Sequence, residues 1–281
     1  MNTSPPKIFD PIALRFAKTR ATHRQARKGV SFLYQRAAED AASRLEDINR
    51  QFDRAVLIGG FDGRDIIQSH LRPERRPISF DHIERPADLD SDYDVILSLL
   101  ELQSDEGLPN TLTTFRQYLK PDGLLIVAQF GGETLTQLRQ SLYATDQQII
   151  GGATARVYPM VDYSQAAMLL GRTGLALPVV DTDRMTVTYG KLESLVSDLR
   201  DLGLTNALSA RDKRPLSRGW FTTLREKYAE HFSREDGKLL ATFEILWMTG
   251  WAPHASQQKP LKPGSAKMRL SDALNTDERK L

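Results

Sequence analysis

The chain has 281 residues, 40% of them hydrophobic and 26% charged, which is enough for one large domain or two small ones and too well mixed for a disordered chain. Its 38 Lys and Arg against 36 Asp and Glu leave a net charge of +2, so bulk electrostatics give no ground for nucleic-acid binding. Cysteine is absent, which excludes disulfides, thiolate metal sites and a cysteine nucleophile, and no apolar run approaches the roughly 18 residues of a membrane span. No hydrophobic signal core opens the sequence, and a cytoplasmic setting is expected.

Ile8, Phe9, Ile12, Leu14 and Phe16 are apolar residues placed to pack on the body of the protein. From Leu14 to Val30 the chain then carries Arg15, Lys18, Arg20, Arg24, Arg27 and Lys28 with no acid. A solvated face of an N-terminal helical cap is the plain reading; an arm for an acidic partner or membrane, or a transit peptide, is the alternative. Between residues 30 and 53, Val30, Phe32, Leu33, Ala37, Ala38, Ala41, Leu45 and Ile48 recur at helical spacing and predict an amphipathic helix. A short buried strand follows at Ala55 to Ile58, then a helix from Gly63 to Leu71 that Pro73 cannot prolong, and a weak strand at Ile78 to Phe80.

"YDVILSLL", Tyr93 to Leu100, is a continuous apolar run of the kind found in the middle of a parallel sheet covered on both faces. Residues 108 to 119 predict a helix, Pro121-Asp122-Gly123 a tight turn, and Leu124 to Phe130 another buried strand. Later come a helix from Ser164 to Arg172, the strand "PVVDTDRMTVTY", a helix from Lys191 to Leu202 and the alternating strand "LLATFEILWMTGW". Strands alternating with helices, the central ones apolar on both faces, mean a doubly wound α/β sheet. The expected organisation is a helical cap over 1–52, an α/β domain with a helical insertion over 53–252, and an extended tail over 253–281 marked by Pro253, Pro260, Pro263 and Gly264.

The chemistry-bearing patterns are few. His23, His70, His82, His231 and His254 show no paired spacing for a metal, no Ser occupies a Gly-x-Ser-x-Gly elbow, and no phosphate loop of the Gly-x-x-x-x-Gly-Lys-Ser/Thr type occurs. What remains is "VLIGGFDGRDI", Val56 to Ile66, where a strand ends in clustered glycines and a helix begins. Gly59, Gly60 and Gly63 permit close backbone approach, and in an open parallel sheet the ligand crevice lies at the carboxyl ends of the strands. A tight structural turn is an equally good account of the glycines alone. Trp247 and Trp251, on an alternating strand, are expected to pack on the sheet, with a substrate clamp as the alternative, and no residue identifies itself as a catalytic base.

The run from Asp92 to Leu142, with "GGETLTQLRQSL", "GGATARVYPMVD", "DLRDLGLTNAL", "ATFEILWMTGWAPHASQQKPLKPGSAK" and the opening "IFDPIALRFAKTRA", resembles the class I S-adenosylmethionine-dependent methyltransferases. Within them it is most similar to the branch of the mitochondrial complex I assembly factor and its alphaproteobacterial relatives, near the malonyl-carrier methyltransferase of biotin synthesis. The resemblance implies a mostly parallel, seven-stranded-type sheet, S-adenosylmethionine held by Gly59, Gly60 and Gly63, and a ribose-binding acid at the second strand, for which Asp81 is the candidate, with Asp88 or none as alternatives. It also implies a protein target in a respiratory complex, where a mitochondrial member is associated with arginine hydroxylation rather than methyl transfer. Arg139, Arg156 and Arg200 fall in the family-like pieces and would suit an acidic substrate, although isolated arginines more often pair at the surface.

Two departures sit in the cofactor loop. The family ends its first strand in an acid followed by Gly-x-Gly-x-Gly; the matching positions here are Leu57 for the acid and Phe61 for the middle glycine. Only about 29 residues separate Gly63 from Tyr93, whereas two helices and a strand need on the order of 40, so an element is expected to be short or lost. Two functions remain open from sequence: a methyltransferase-like enzyme with an eroded cofactor loop, and a non-catalytic assembly or binding factor on the same fold.

Overall fold

The computed structural model describes residues 7 to 258; most of the tail expected to be extended lies outside the described residues. Two helices come first. α1 (Pro11–Lys28) starts on Asp10, whose carboxylate accepts from the amides of Ile12 and Ala13, and buries only Ala17 and Ala21. α2 (Phe32–Glu46) places Leu33, Tyr34, Ala37, Ala38, Ala41, Ala42 and Leu45 on one face, the spacing read from the sequence, and buries that face on the sheet.

The strands are β1 (Arg54–Ile58), β2 (Ser79–Ile83), β3 (Tyr93–Leu99), β4 (Leu119–Phe130), β5 (Ala176–Tyr189) and β6 (Leu239–Trp251). They form one sheet in the order β2-β1-β3-β4-β6-β5, with β1 to β4 parallel and β6 antiparallel to both its neighbours. All seven residues of β3 are buried, as a central strand requires. Val56 pairs with Ile96 and Leu97 with Ile126, and all four side chains are buried. Alternate residues serve the two faces. Leu57, Val95, Leu97 and Ile126 join α2, α3 (Arg64–His70), α7 (Leu192–Asp201) and α8 (Arg218–Phe232), while Val56, Ile96, Leu125 and Val127 join α4 (Leu108–Gln117) and α6 (Tyr163–Arg172).

Among the described residues the doubly wound methyltransferase-type sheet is therefore present with six strands. The segment between Gly63 and Tyr93 holds only α3, β2 and two single 3-10 turns, so it has room for one strand beyond β1. The Pro121-Asp122-Gly123 triplet lies inside β4 rather than forming a separate turn. Asp122 takes a φ of +63° there, and the β3–β4 register slips between Tyr93 and Val95. α5 (Thr136–Ile150) and α8 add to the helices expected from sequence, and Asp146 locks them together by accepting from Trp220 Nε1 at 2.8 Å.

Candidate functional site

The carboxyl ends of β1, β2 and β3 converge on a cleft of about 490 Å³. Ile58 and Gly59 come from β1 and its loop, Glu84 follows β2, Ser98 belongs to β3, and Glu101 follows the turn after it. Pro11, Leu14 and Lys18 of α1 close the side, so the basic N-terminal helix is a wall of the cleft. α1 is fastened there at both ends. Asp10 pairs with Arg211 at 2.9 Å, and Phe9 packs edge-on against Tyr158. Arg24 reaches Asp201 and Ser197 of α7, and the Gln25 amide donates to the Asp201 carbonyl at 2.7 Å.

The glycine loop is built tightly. Gly59 has a φ of +152°, and a Cβ placed on it would stand 2.5 Å from Glu101 Cγ, so both its conformation and its neighbour require glycine. Its carbonyl accepts from His82 Nε2 at 2.9 Å, and its amide donates to the Ile83 carbonyl at 3.0 Å. A Cβ on Gly63 would stand 2.9 Å from the Tyr34 ring, so this glycine serves the packing of α2 rather than the cleft. Tyr34 donates its hydroxyl to the Phe61 carbonyl at 2.7 Å, and burial pushes its phenol far above the usual range. The Phe61 ring is nearly buried and meets Tyr34 edge-on. Arg64 grips Asp62 with two hydrogen bonds and holds its carboxyl below the usual range.

One side chain fills the mouth of this loop. Glu101 accepts the amide hydrogen of Gly60 at 2.7 Å on one carboxylate oxygen and pairs with Lys18 of α1 at 2.6 Å on the other. Its side chain is only 9% exposed. The preceding residue, Leu100, is buried at a φ of +53°, a left-handed conformation that costs a non-glycine residue on the order of 1 kcal/mol. The turn that aims Glu101 into the glycine loop is thus held against its local preference.

The candidates read from sequence separate. Gly59 lines the cleft and Gly60 faces Glu101, whereas Gly63 lies beneath Tyr34. Asp81 is paired with Arg54 at 3.0 Å and does not line the cleft; Glu84, one residue past β2, is the acid of that segment that does. Leu57 is fully buried among apolar side chains. Arg156 clamps Asp146 with bonds of 2.6 and 2.7 Å, which makes it a structural residue, and Arg139 donates to the carbonyls of Gly132 and Thr134. Trp247 is buried under the guanidinium of Arg44, 4.2 Å from the ring centroid, consistent with packing. Glu84, Ser98 and Glu101 are not among the candidates read from sequence, and Lys18 figures there only as one charge of the basic helix; the signal for Glu101 is a charge that closes a mostly apolar run at the end of a central strand.

Two further hollows follow, the first adjoining the cleft and the second adjoining the first. One of about 320 Å³ shares Leu102 and Asp105 with it and reaches Gln129 at the end of β4; the next, about 800 Å³ and largely apolar, shares Ile8, Pro159 and Met160 with the second. Among the described residues no three His, Asp or Glu side chains gather as a metal site, and no helix is long and apolar enough to cross a membrane.

The methyl donor implied by the family-like motifs fits this site only in part. The exposed Glu84 carboxylate suits ribose hydroxyls, but the loop donor that would meet the amino-acid portion is already used by Glu101, whose side chain fills that space. The residues present therefore do not fit the whole of S-adenosylmethionine.

No protein-family model matches the chain. Arginine-hydroxylase NDUFAF5 of Danio rerio is 32% identical over 94% of this chain and 89% of its own length. The malonyl-[acyl-carrier protein] O-methyltransferase of Xylella fastidiosa is 30% identical over 88% of this chain and 89% of its own. Among solved structures, a phosphoethanolamine N-methyltransferase of Haemonchus contortus in complex with S-adenosyl-L-methionine is 12% identical, over 77% of this chain and 52% of that one, with a TM-score of 0.39.

Proposed function

The chain belongs to the methyltransferase family that contains arginine-hydroxylase NDUFAF5 and malonyl-[acyl-carrier protein] O-methyltransferase, and from that premise we propose that it acts as an assembly or binding factor built on the methyltransferase fold, its methyl-donor loop occupied by its own Glu101. The observation that carries this reading is the Gly60–Glu101–Lys18 contact. A methyl donor must displace a nearly buried carboxylate and an ion pair before it gains a single loop hydrogen bond. Leu57, in place of the acid of the family motif, removes a second anchor. The proposed target is a protein subunit of a respiratory complex, met in a bacterial cytoplasm, and the large apolar hollow beyond the second one gives such a partner a surface.

The experiment has two arms. Calorimetric titration of S-adenosylmethionine into the pure protein is expected to show binding no tighter than about sub-millimolar; tight stoichiometric binding overturns the self-occupied site. Deleting the gene is expected to lower assembled respiratory complex I on native gels, and complementation with a variant blocked in the cleft is expected to restore it. Unchanged complex I in the deletion strain overturns the partner.

A further inference from the structure

The sheet has one guarded edge and one open edge. β2, at the first, is five residues long, and Arg64 Nη1 donates to its Phe80 carbonyl at 2.7 Å. β5, at the other, runs 14 residues from Ala176 to Tyr189, and Pro178 and the register shift before Val179 interrupt only its beginning. We propose that the β5 edge is the interface of a homodimer, in which a second copy of this chain adds its own β5 antiparallel across a two-fold axis at Met185. Such pairing is independent of what the cleft binds.

The outward groups of β5 follow from its pairing. Thr242 and Glu244 of β6 turn their carbonyls toward the β4 side, to the amides of Leu135 at 2.8 Å and Gly131 at 2.9 Å. Phe243 and Ile245 therefore face β5, where they stand opposite Met185 and Asp183. Backbone groups alternate along a strand, so Thr182, Arg184, Thr186 and Thr188 point theirs out of the sheet. Among the described residues no loop amide or carbonyl meets these four, and the only side-chain hydrogen bond to the β5 backbone is from Thr249 to the Val179 carbonyl at 3.5 Å. Their side chains are exposed as well, and the stretch from Val179 to Tyr189 has no proline, lysine or glycine to blunt pairing.

The strand fits itself in one register. Pairing centred on Asp183 or Arg184 sets like charges face to face, a centre nearer the start meets Pro178 and the irregular register, and a centre at Thr186 or beyond carries the outward residues past Tyr189, where β5 ends. Centred on Met185, Thr182 stands opposite Thr188 and Arg184 opposite Thr186, so every outward residue meets an outward residue. Thr–Thr pairs favour such a contact, and the half-buried Met185 covers its counterpart. Arg184, diagonal to its own counterpart, is already matched by Glu133 at 3.1 Å. The same register sets the exposed Lys191, extended at φ −158° and ψ 154°, diagonal to Asp181 of the second copy, a side chain that is 45% exposed. Opposite charges thus meet at both ends of a symmetric interface.

The test uses the full chain in sedimentation equilibrium and in cross-linking. The wild type is expected to dimerise at about micromolar concentration, and Thr186→Pro, which blocks an outward amide without removing a β5–β6 bond, is expected to raise the dissociation constant at least about tenfold. Because the chain has no cysteine, a single introduced one reports the register. Met185→Cys is expected to link the two copies through a disulfide on oxidation with diamide, since residues directly opposite at such a position have Cα atoms about 4.5 Å apart. Thr182→Cys, whose two copies would lie about 20 Å apart, is expected to stay unlinked. If Thr186→Pro unfolds β5, the two cysteine variants decide alone. A wild type that remains monomeric overturns the second copy; where Thr186→Pro then fails to support complex I assembly in the deletion strain, the edge belongs to a strand of a partner protein. A dimer that Thr186→Pro leaves intact and Met185→Cys does not link overturns the β5 edge. Linking of Thr182→Cys in place of Met185→Cys overturns the register.

Discussion

Tyr34 and Phe61 are joined twice: the Tyr34 hydroxyl donates to the Phe61 carbonyl at 2.7 Å, and the two rings meet edge to face with centroids 5.4 Å apart. A residue of α2 thus fixes the backbone of the glycine loop from inside the core. In Tyr34→Phe the ring contact survives and the carbonyl loses its buried donor, at a cost of about 1 to 3 kcal/mol. Urea denaturation of the pure protein is expected to show this loss with an unchanged m-value. A variant as stable as wild type would mean that the loop carbonyl finds another donor.

Leu57 stands where the family motif has an acid, and the obvious repair is Leu57→Asp. The structure argues against it as a route to cofactor binding. Leu57 is fully buried beside Val95 and Leu97, with no polar partner to meet a carboxylate. Leu57→Asp is expected to destabilise the fold by about 4 kcal/mol or more, whereas Leu57→Met costs less than about 1.5 kcal/mol. Thermal melts of the two variants side by side check the contrast.

The sheet was legible because its code is local. Tyr93 to Leu99 is apolar at every position but Asp94 and Ser98, Leu33 to Leu45 is apolar at helical spacing, and each pattern has one stable use in a covered sheet. The glycines after β1 were legible as a loop for the same reason. What was not legible depends on contacts far apart in sequence. Glu101 meets Gly60 across 41 positions and Lys18 across 83, and neither pairing leaves a trace in periodicity. Asp81 was the candidate acid because the second strand was read as ending near it; β2 runs on to Ile83, which turns Asp81 to Arg54 and brings Glu84 to the cleft.

The basic helix is held by one arginine more than by its apolar residues. α1 buries only two alanines, while Arg24 pairs with Asp201 and also donates to Ser197 Oγ at 2.8 Å. In Arg24→Ala these bonds go, with a loss of about 1.5 kcal/mol, the low end for hydrogen bonds to a charged group. The rate of tryptic cutting within α1 is expected to rise about tenfold while the sheet stays folded. An unchanged cutting rate would assign the docking of α1 to the Phe9 and Asp10 end instead.

Asp146 gives the fold an acid limit. Burial works to raise its pKa, but hydrogen bonds from Arg156, Thr154 and Trp220 and the charge of Arg156 outweigh it, and the carboxyl is held below its ordinary 3.8. Because the folded pKa is depressed, the stabilisation is fully present above the unfolded value and is lost as pH falls below about 4 toward the folded one. Asp146→Asn removes the charge that Arg156 faces across a nearly buried contact, which costs roughly 3 kcal/mol at neutral pH. The difference in unfolding free energy between wild type and Asp146→Asn is expected to be constant from pH 5 to 7 and to shrink below pH 4, since the unfolded wild-type chain then takes up a proton on this carboxyl before the folded one does. Urea titrations at stepped pH measure it, and a difference that stays level down to pH 3 would show that the Asp146 carboxyl does not carry the acid limit.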